Sequence, residues 1–263
     1  MRERLRRHWP EYLMEAGGLG LFMIAAAACA SILEHPASPV RHALPDPLIR
    51  RVLMGLAMGA TSIALVYSPM GARSGAHLNP ATTLTFHRLG RVHGVDAAAY
   101  VIAHCAGGIG GIAVAALLLS PWIAAPAVHY VATSPGPWGI GAALAAEIVI
   151  AFVLMTVVLH VSNHRRWSRW TGLCAGALVC VYIVFEAPIS GMSLNPARSL
   201  GPALLTQQLD TFWIYCAGPL TGMLLAAEAF VRGAGPAAVR CAKLHHHTAA
   251  RCIFHCRFGA QQL

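Results

Sequence analysis

Two copies of the tripeptide Asn-Pro-Ala are the part of this sequence whose residue types and spacing indicate chemistry. Asn79 begins the first copy, in SGAHLNPATTLTF, and Asn195 begins the second, in SGMSLNPARSLGP. Proline suits the first position of a helix because its missing N–H would be unpaired there. Asparagine before it is a good helix cap, since its carbonyl oxygen accepts backbone N–H bonds and leaves its NH2 group free. Each copy therefore predicts a helix that begins beside an amide donor.

Each motif opens a helical stretch that is too short to cross a bilayer. About ten residues of helix extend roughly 15 Å, half the hydrocarbon thickness. Two such half-helices entering from opposite sides meet at their N-termini, where each macrodipole places about half a positive charge. The meeting point offers two amide donors to a passing water and a potential that repels cations and hydronium. One Asn-Pro-Ala alone would be an ordinary helix cap, but two copies that both follow Ser-Gly favour a pore.

The composition indicates that these half-helices lie in a membrane. Of the 263 residues, 57% are apolar and 11% are charged, and the mean hydropathy is +0.59. A soluble domain usually carries about a quarter charged residues. Six long apolar segments predict six spanning helices. They lie near Tyr12–Leu33, Ile49–Tyr67, Ala97–Leu119, Ile140–Val161, Thr171–Phe185 and Thr211–Val231, and we expect the fifth to run on to about Pro188.

The basic residues orient the bundle. Arginines cluster before the first segment and after the second, fourth and sixth, so an even number of spans puts all four groups on one side. The positive-inside rule makes that side cytoplasmic. The net charge of +9 is thus explained without a nucleic-acid partner. We expect a multi-pass plasma-membrane protein with both termini in the cytoplasm, and the excess of arginine over lysine, 18 to 1, favours a bacterial inner membrane.

The chain repeats itself beyond the two motifs. GLAMGA at Gly55 matches GLCAGA at Gly172, and HCAGGIGG at His104 matches YCAGPLTG at Tyr215. Three spans per half is an odd number, so the halves insert in opposite senses, and such an inverted repeat places the working site between them near the midplane. We predict an all-α membrane protein with one channel domain over 1–231, whose repeats cover about 11–119 and 139–231. A basic cytoplasmic tail, 232–263, is predicted to be disordered.

Several ionisable residues lie within or beside the predicted spans. Glu15 and Glu147 occupy matching places in the two halves, and their symmetry favours structural support of the half-helix loops over a role in transport. Glu186 has no symmetric partner, and both an outer-vestibule and an interface position remain open. His77 could gate by protonation, although we favour a hydrogen-bonded loop residue. His104 is interpreted as a histidine whose hydrogen bonds are satisfied inside the bundle.

These motifs resemble those of the major intrinsic protein family, the aquaporins and glycerol facilitators, from about Glu11 to Val231. The resemblance implies six spans, two re-entrant half-helices and a homotetramer with one pore per subunit. It assigns two pore motifs and a selectivity-filter cation: Asn79, Pro80 and Ala81, then Asn195, Pro196 and Ala197, and finally Arg198. A lone arginine at the start of a buried half-helix is costly unless it lines a wet cavity, which supports this role for Arg198.

The rest of the filter departs from the pattern of water-only channels. Ile183 stands where orthodox water channels carry histidine, and Met192 lies where the backbone would present carbonyls beside the arginine. A bulky aromatic is usual where this chain has Gly59, or Met58 if the following connection holds one extra residue. A filter of this composition is less polar, which favours glycerol, ammonia or another small neutral solute.

Two other positions favour water. Ser199 follows the filter arginine where glycerol facilitators carry aspartate, and Tyr215 is typical of the water channels in this resemblance. We therefore predict a passive channel for water, with a facilitator of small neutral solutes as the alternative. A secondary transporter also uses inverted repeats and broken helices, but paired carboxylates for an ion are missing from the half-helices. A third alternative is a structural protein with a shut pore that serves membrane adhesion, and only a flux measurement can distinguish it. An enzyme is not indicated, because the sequence shows no nucleophile–base pair.

The tail is rich in histidine and cysteine, but their spacing matches no standard metal site. The residues are His245, His246, His247, Cys252, His255 and Cys256. We predict no metal and no cofactor, and a basic segment near anionic lipid. No pair among the eight cysteines of the chain has a redox spacing, which predicts a reduced protein.

Overall fold

The protein, described here by a computed structural model over residues 1–246 and 248–258, forms α-helices, short 3-10 turns and loops. In chain order the α-helices are α1 (Arg2–Glu34), α2 (Pro39–Ala43), α3 (Pro47–Tyr67), α4 (Pro69–Ser74), α5 (Pro80–Arg88), α6 (Gly94–Leu119), α7 (Gly139–Ser162), α8 (Thr171–Phe185), α9 (Ala187–Ser190), α10 (Pro196–Thr206) and α11 (Phe212–Ala234). By length and composition, six helices of this described part can cross a membrane: α1, α3, α6, α7, α11 and α8 with the turn before it.

The first helix is longer than the apolar pattern predicts. It begins at Arg2 rather than near Tyr12, because three side chains at four-residue spacing share a face and meet the buried Asp96 of α6. Arg4 Nη1 lies 3.0 Å from Asp96 Oδ2, and His8 Nδ1 lies 2.8 Å from Oδ1. The Tyr12 hydroxyl donates to the same Oδ1 at 2.7 Å. This polar cluster extends α1 beyond its apolar span.

The fifth span is longer than its apolar segment at its N-terminal end, whereas the sequence predicts an extension at its C-terminal end. It does not run on to Pro188, because α8 ends at Phe185 and a separate short helix, α9, begins at Ala187. Proline is tolerated in the first turn of a new helix but not inside a continuous one. A 3-10 turn over Ser168–Trp170 instead lengthens the span at its start.

Helix packing follows the internal repeat and joins its halves. Helix α1 packs on α6 in the first half, and α7 packs on α11 in the second. Helix α3 packs on α8 across the halves. The half-helix α5 lies against α11, while α10 lies against α6, so each contacts the last span of the opposite half. The two halves therefore interlock around the tips of α5 and α10.

The C-terminal segment differs from the predicted disordered tail. Six apolar side chains between positions 239 and 254 are buried: Val239, Cys241, Ala242, Leu244, Ile253 and Phe254. Lys243 Nζ donates to the carbonyl oxygens of Ala72 at 2.8 Å and Arg251 at 2.7 Å, and burial lowers the pKa of this lysine from its ordinary value. The prediction of disorder rested on basic charge and overlooked these apolar residues. His247 and residues 259–263 lie outside the described residues.

Glycine permits the close approach of α1 and α6. A Cβ added at Gly107 would lie 2.2 Å from the carbonyl oxygen of Ala16, which is far inside a normal contact. A Cβ added at Gly110, three residues along the same helix, would meet nothing within 4 Å. Small residues at membrane helix interfaces commonly serve this purpose.

We expect Gly107→Ala to destabilise the protein by about 1–3 kcal/mol, because the added methyl group must push two backbones apart. Gly110→Ala is the matched control, and it should leave stability unchanged or raise it slightly, since alanine favours helix. Thermal unfolding of both variants in detergent measures the difference. Equal transition temperatures for the two variants would contradict this packing.

Candidate pore

The two asparagines cap the half-helices through their side-chain oxygens. Asn79 Oδ1 accepts a hydrogen bond from Ala81 N at 2.9 Å, at the start of α5. Asn195 Oδ1 accepts from Ala197 N at 3.0 Å and from Arg198 N at 3.2 Å, at the start of α10. Pro80 and Pro196 occupy the first helical positions, where no N–H is needed. Each amide group is thereby fixed in orientation.

The sequence predicts free side-chain NH2 groups on these asparagines, but in the structure each NH2 group donates one hydrogen bond. Asn79 Nδ2 donates to the carbonyl oxygen of Leu194 at 2.7 Å, and Asn195 Nδ2 donates to that of Leu78 at 2.7 Å. A buried backbone carbonyl needs a donor, and the opposite asparagine is within reach. Each NH2 group has a second N–H, and both asparagines line the central cavity. The crossed bonds join the tips of the two half-helices.

The loops before the motifs have the same unusual backbone conformation. Positive φ angles recur at matching positions: Gly75 (105°), Ala76 (55°) and Leu78 (47°), then Gly191 (86°), Met192 (51°) and Leu194 (57°). A left-handed conformation costs a residue other than glycine about 1–2 kcal/mol. Both loops therefore need contacts that hold them in place.

A buried glutamate holds the first loop. Glu15 of α1 accepts hydrogen bonds from the backbone N–H of His77 at 3.2 Å and of Leu78 at 2.6 Å. His104 Nε2 lies 2.7 Å from the same carboxylate, but its buried Nδ1 has no hydrogen-bond partner among the described residues, so this histidine is only half satisfied. The carboxylate is fully buried and directed at the loop backbone.

A second buried glutamate holds the other loop in the same way. Glu147 of α7 accepts from the N–H of Ser193 at 2.7 Å and of Leu194 at 2.8 Å. The hydroxyl of Ser190 also donates to it, at 2.7 Å. The two carboxylates thus occupy equivalent positions in the repeat and satisfy equivalent N–H groups.

His77 is buried in the first loop and has a partner for each ring nitrogen. Nε2 lies 2.8 Å from the carbonyl oxygen of Ala242, and Nδ1 lies 2.8 Å from Thr83 Oγ1. A carbonyl oxygen only accepts, so Nε2 carries the proton in this contact, and a neutral ring can accept the threonine hydroxyl at Nδ1. The contact to Ala242 links this loop to the C-terminal segment.

A cavity of about 350 Å³ runs past the meeting point of the half-helices. Its far end is lined by Leu33, Glu34 and Arg51, and the end nearer the C-terminal segment, called here the tail end, is lined by Met223 and Leu244. The two asparagines and four of the predicted filter residues lie between or beside these ends: Met58, Ile183, Met192 and Arg198. Apart from the arginine, the side chains of this filter group are apolar.

Of the two alternatives for the filter position on α3, Met58 lines the cavity and Gly59 does not. A Cβ added at Gly59 would lie 2.7 Å from the carbonyl oxygen of Gly176, so this glycine packs against α8. Adjacent residues on a helix point about 100° apart, which separates the two positions. A filter position on the cavity wall therefore favours Met58, which is the register with the extra residue in the connection before Asn79.

Arg198 is positioned by a loop that carries no sequence signal for the pore. Its Nη1 donates to the carbonyl oxygen of Val131 at 2.9 Å, and Ala132 lines the cavity beside it. Thr133 Oγ1 and Ser199 Oγ lie 2.7 Å apart and connect the same loop to α10. Loop 120–138 contains no Asp, Glu, Lys or Arg and no motif, so nothing in its sequence indicates this contact with Arg198.

Two charged residues that the sequence did not indicate line the far end of the cavity, and the position of Glu186, for which two alternatives stood, is defined by its burial. Glu34 and Arg51 line the cavity there, and the neighbouring Arg50 pairs with Glu34 at 3.1 Å. Glu186 is 6% exposed and is not among the residues that line this cavity. Of its two proposed positions, a buried interface describes its surroundings better than the vestibule.

We expect Glu147→Gln to weaken the second loop, because an amide presents an NH2 group to N–H donors that need an acceptor. The variant should unfold at a lower temperature and conduct less than the unaltered protein. Glu228→Gln, on the exposed face of α11, is the control for loss of a carboxylate. Unchanged thermal stability and flux in Glu147→Gln would show that the carboxylate is dispensable.

Comparison with known proteins agrees with this architecture. The family described as Major intrinsic protein matches residues 4–230. Aquaporin NIP1-3 of Oryza sativa subsp. japonica is 37% identical over 213 residues, covering 81% of this chain and 70% of the relative. Aquaporin NIP1-2 of Arabidopsis thaliana is 32% identical, covering 80% and 69%. The X-ray structure of the aquaglyceroporin from Plasmodium falciparum has a TM-score of 0.71 at 20% identity, covering 88% of this chain and 98% of that one.

Six spans around a cavity at which two half-helices meet define a membrane channel fold. The chain belongs to the major intrinsic protein family. It is a multi-pass membrane protein that serves transport, and it is not an enzyme. The two aquaporins named above are plant proteins, so they give no support to the bacterial inner membrane that the arginine excess favours.

Proposed function

We propose that the chain is a passive channel that conducts water along this cavity and excludes protons and ions. The observation that carries the proposal is the pair of cavity-lining asparagines, each anchored by one N–H to the opposite loop and left with a second N–H. A water that accepts a hydrogen bond from these fixed donors must point its own hydrogens away. This orientation interrupts the donor–acceptor order that a proton relay requires.

The electrostatics of the same point oppose cations. The N-termini of α5 and α10 each contribute a partial positive charge, and Arg198 adds a full charge at the first turn of α10. Positive ends of half-helices and a pore-lining arginine are recognised barriers to protons and cations. The carboxylates of Glu15 and Glu147 are bonded to the loop backbones and so are not offered to a passing ion.

The geometry favours a channel over the two other classes considered. A secondary transporter needs a coupling-ion site and alternating access, and the lining of this cavity, over the described residues, offers one carboxylate, Glu34. An adhesive protein has no use for a cavity that passes two fixed amide donors. Saturable, ion-dependent flux would support the transporter, and absence of flux would support the adhesive role.

The filter supports a second candidate, a facilitator of small neutral solutes such as glycerol or ammonia. Met58, Ile183 and Met192 give the filter region three apolar side chains beside Arg198. An apolar lining costs a partly apolar solute less desolvation than a ring of polar groups. Water remains the first proposal, because the donors at the asparagines fit its oxygen.

The topology and assembly complete the proposal. The arginine clusters favour a plasma-membrane protein with both termini in the cytoplasm, and in this topology the tail end of the cavity faces the cytoplasm. Exposed apolar side chains on the outside of the bundle fit lipid and neighbouring subunits of a homotetramer with one pore each. They include Leu13, Leu21, Ile102, Leu117, Leu118 and Val149.

We expect Asn195→Asp to admit cations and protons. The change replaces the NH2 donor with a carboxylate oxygen, which breaks the bond to Leu78 and adds negative charge at the meeting point. Ion and proton leak of proteoliposomes, measured with a voltage-sensitive and a pH-sensitive dye, should rise several-fold. Gln208→Glu, at an exposed position, is the control for an added acid. Equal leak in the two variants would count against exclusion at the asparagines.

We expect Ile183→His to shift selectivity towards water, because a polar ring replaces an apolar side chain at the filter. Stopped-flow light scattering under osmotic and glycerol gradients gives the ratio of glycerol to water permeability, which should fall several-fold. Ile183→Leu keeps the filter apolar and should preserve the ratio. An unaltered ratio of glycerol to water permeability in Ile183→His would contradict the assignment of Ile183 to the filter.

A further inference from the structure

Four potential metal ligands in the C-terminal segment converge on one point. The ligand atoms of Cys241, His246, Cys252 and Cys256 all lie within 4.8 Å of one another. Cys241 Sγ is 3.5 Å from Cys252 Sγ, and Cys256 Sγ is 3.0 Å from His246 Nε2. These four side chains are called the tail cluster below.

The tail cluster has the composition and size of a tetrahedral zinc site. Structural zinc commonly takes three cysteines and one histidine, with Zn–S near 2.3 Å and Zn–N near 2.0 Å. Sulfur atoms of such a tetrahedron are about 3.8 Å apart, so the observed spacing needs shifts of only about an ångström. The three cysteines of the cluster are free of disulfide bonds.

The surroundings suit a negatively charged centre. Three thiolates around a divalent ion leave one net negative charge, and the segment that holds them is basic, with Arg240, Lys243 and Arg251. The ring of His246 stacks on Phe258 at 4.5 Å between centroids. The Arg240 guanidinium carbon lies 5.7 Å from the centroid of the same Phe258 ring. Stacking restricts the orientation of the histidine ring, and the nearby cations suit the negative charge of three thiolates, the form of cysteine that binds metal.

The order of these ligands along the chain is unusual, and for this reason the sequence alone predicts no metal here. The spacing is Cys-x4-His-x5-Cys-x3-Cys, which lacks the paired Cys-x2-Cys of common zinc modules. The fold brings the ligands together because the segment turns back on itself, with Lys243 Nζ donating to the carbonyl oxygens of Ala250 at 3.1 Å and Arg251 at 2.7 Å.

We propose that Cys241, His246, Cys252 and Cys256 bind one zinc ion, and that the zinc-loaded segment restricts the tail end of the pore. Thiols on the cytoplasmic side stay reduced and available to metal. The binding half stands on the tail cluster alone. The restricting half rests on the proposed function, because it needs a conducting pore.

The stretches between the ligands are those that contact the pore. Between Cys241 and His246, the carbonyl oxygen of Ala242 meets His77 Nε2 at 2.8 Å. Leu244 N donates to the Gly75 carbonyl oxygen at 3.1 Å, and Leu244 lines the cavity. Between Cys252 and Cys256, the ring of Phe254 stacks on His77 at 5.2 Å. A metal that clamps these stretches together fixes Leu244 at the tail end.

The binding half is tested on the full-length protein in detergent, stripped with a chelator and reloaded with zinc or cobalt. About one zinc per chain should survive desalting, and cobalt should give a tetrahedral spectrum with thiolate charge-transfer bands. Both signals should be lost in Cys252→Ser/Cys256→Ser. The control Cys174→Ser removes a thiol from α8 and should keep them. Zinc retention below one-tenth per chain, or equal retention in the double variant, would overturn the site.

The restricting half is tested by water flux in proteoliposomes with zinc or with chelator on the tail side. Zinc should slow the unaltered protein several-fold and leave Cys252→Ser/Cys256→Ser unaffected. Leu244→Ala keeps all four ligands and should bind zinc with a weaker effect on flux. Flux that ignores zinc would overturn the restriction while leaving the channel intact. Absence of flux in every state, with zinc bound, would instead refute the proposed function.

Discussion

The crossed hydrogen bonds between the two half-helix tips are the interaction on which the rest of the pore depends. Each asparagine caps its own helix with its oxygen and binds the opposite loop with its nitrogen, at 2.7 Å on both sides. The loops that supply the acceptors contain left-handed residues and would not keep this form unaided. Glu15 and Glu147 satisfy their N–H groups from behind, so capping, loop shape and carboxylate support act together.

Most of the fold and the centre of the site follow from local sequence signals. Asn-Pro fixes the starts of α5 and α10, and apolar length fixes the spans, because both signals are local and chemical. The cross-bond from Asn79 to Leu194 did not follow, since it depends on how the two halves meet. Gly59 and Met58 were both predicted for one filter position for a similar reason. Counting residues along a loop does not determine which of two neighbouring helical residues faces the pore.

Two segments with weak sequence signals contribute contacts that no motif announces. Loop 120–138 carries no motif, yet its Val131 carbonyl oxygen accepts a hydrogen bond from Arg198 and orients it. The C-terminal segment was predicted to be disordered from its charge, yet its apolar residues bury against the bundle and place Leu244 at the cavity. In both, contacts between residues distant in sequence decide the structure. The internal repeat therefore forms the centre of the pore, and segments outside the repeat contribute further contacts to its lining.

The central claim is that the meeting point of α5 and α10 passes water while it blocks protons. The most direct test measures osmotic water permeability and proton leak on the same proteoliposomes, with the unaltered protein freed of divalent metal by chelator. The account predicts water permeability well above that of empty liposomes, with proton leak equal to theirs. Water permeability at the level of empty liposomes, or proton leak that rises with the water flux, would contradict it.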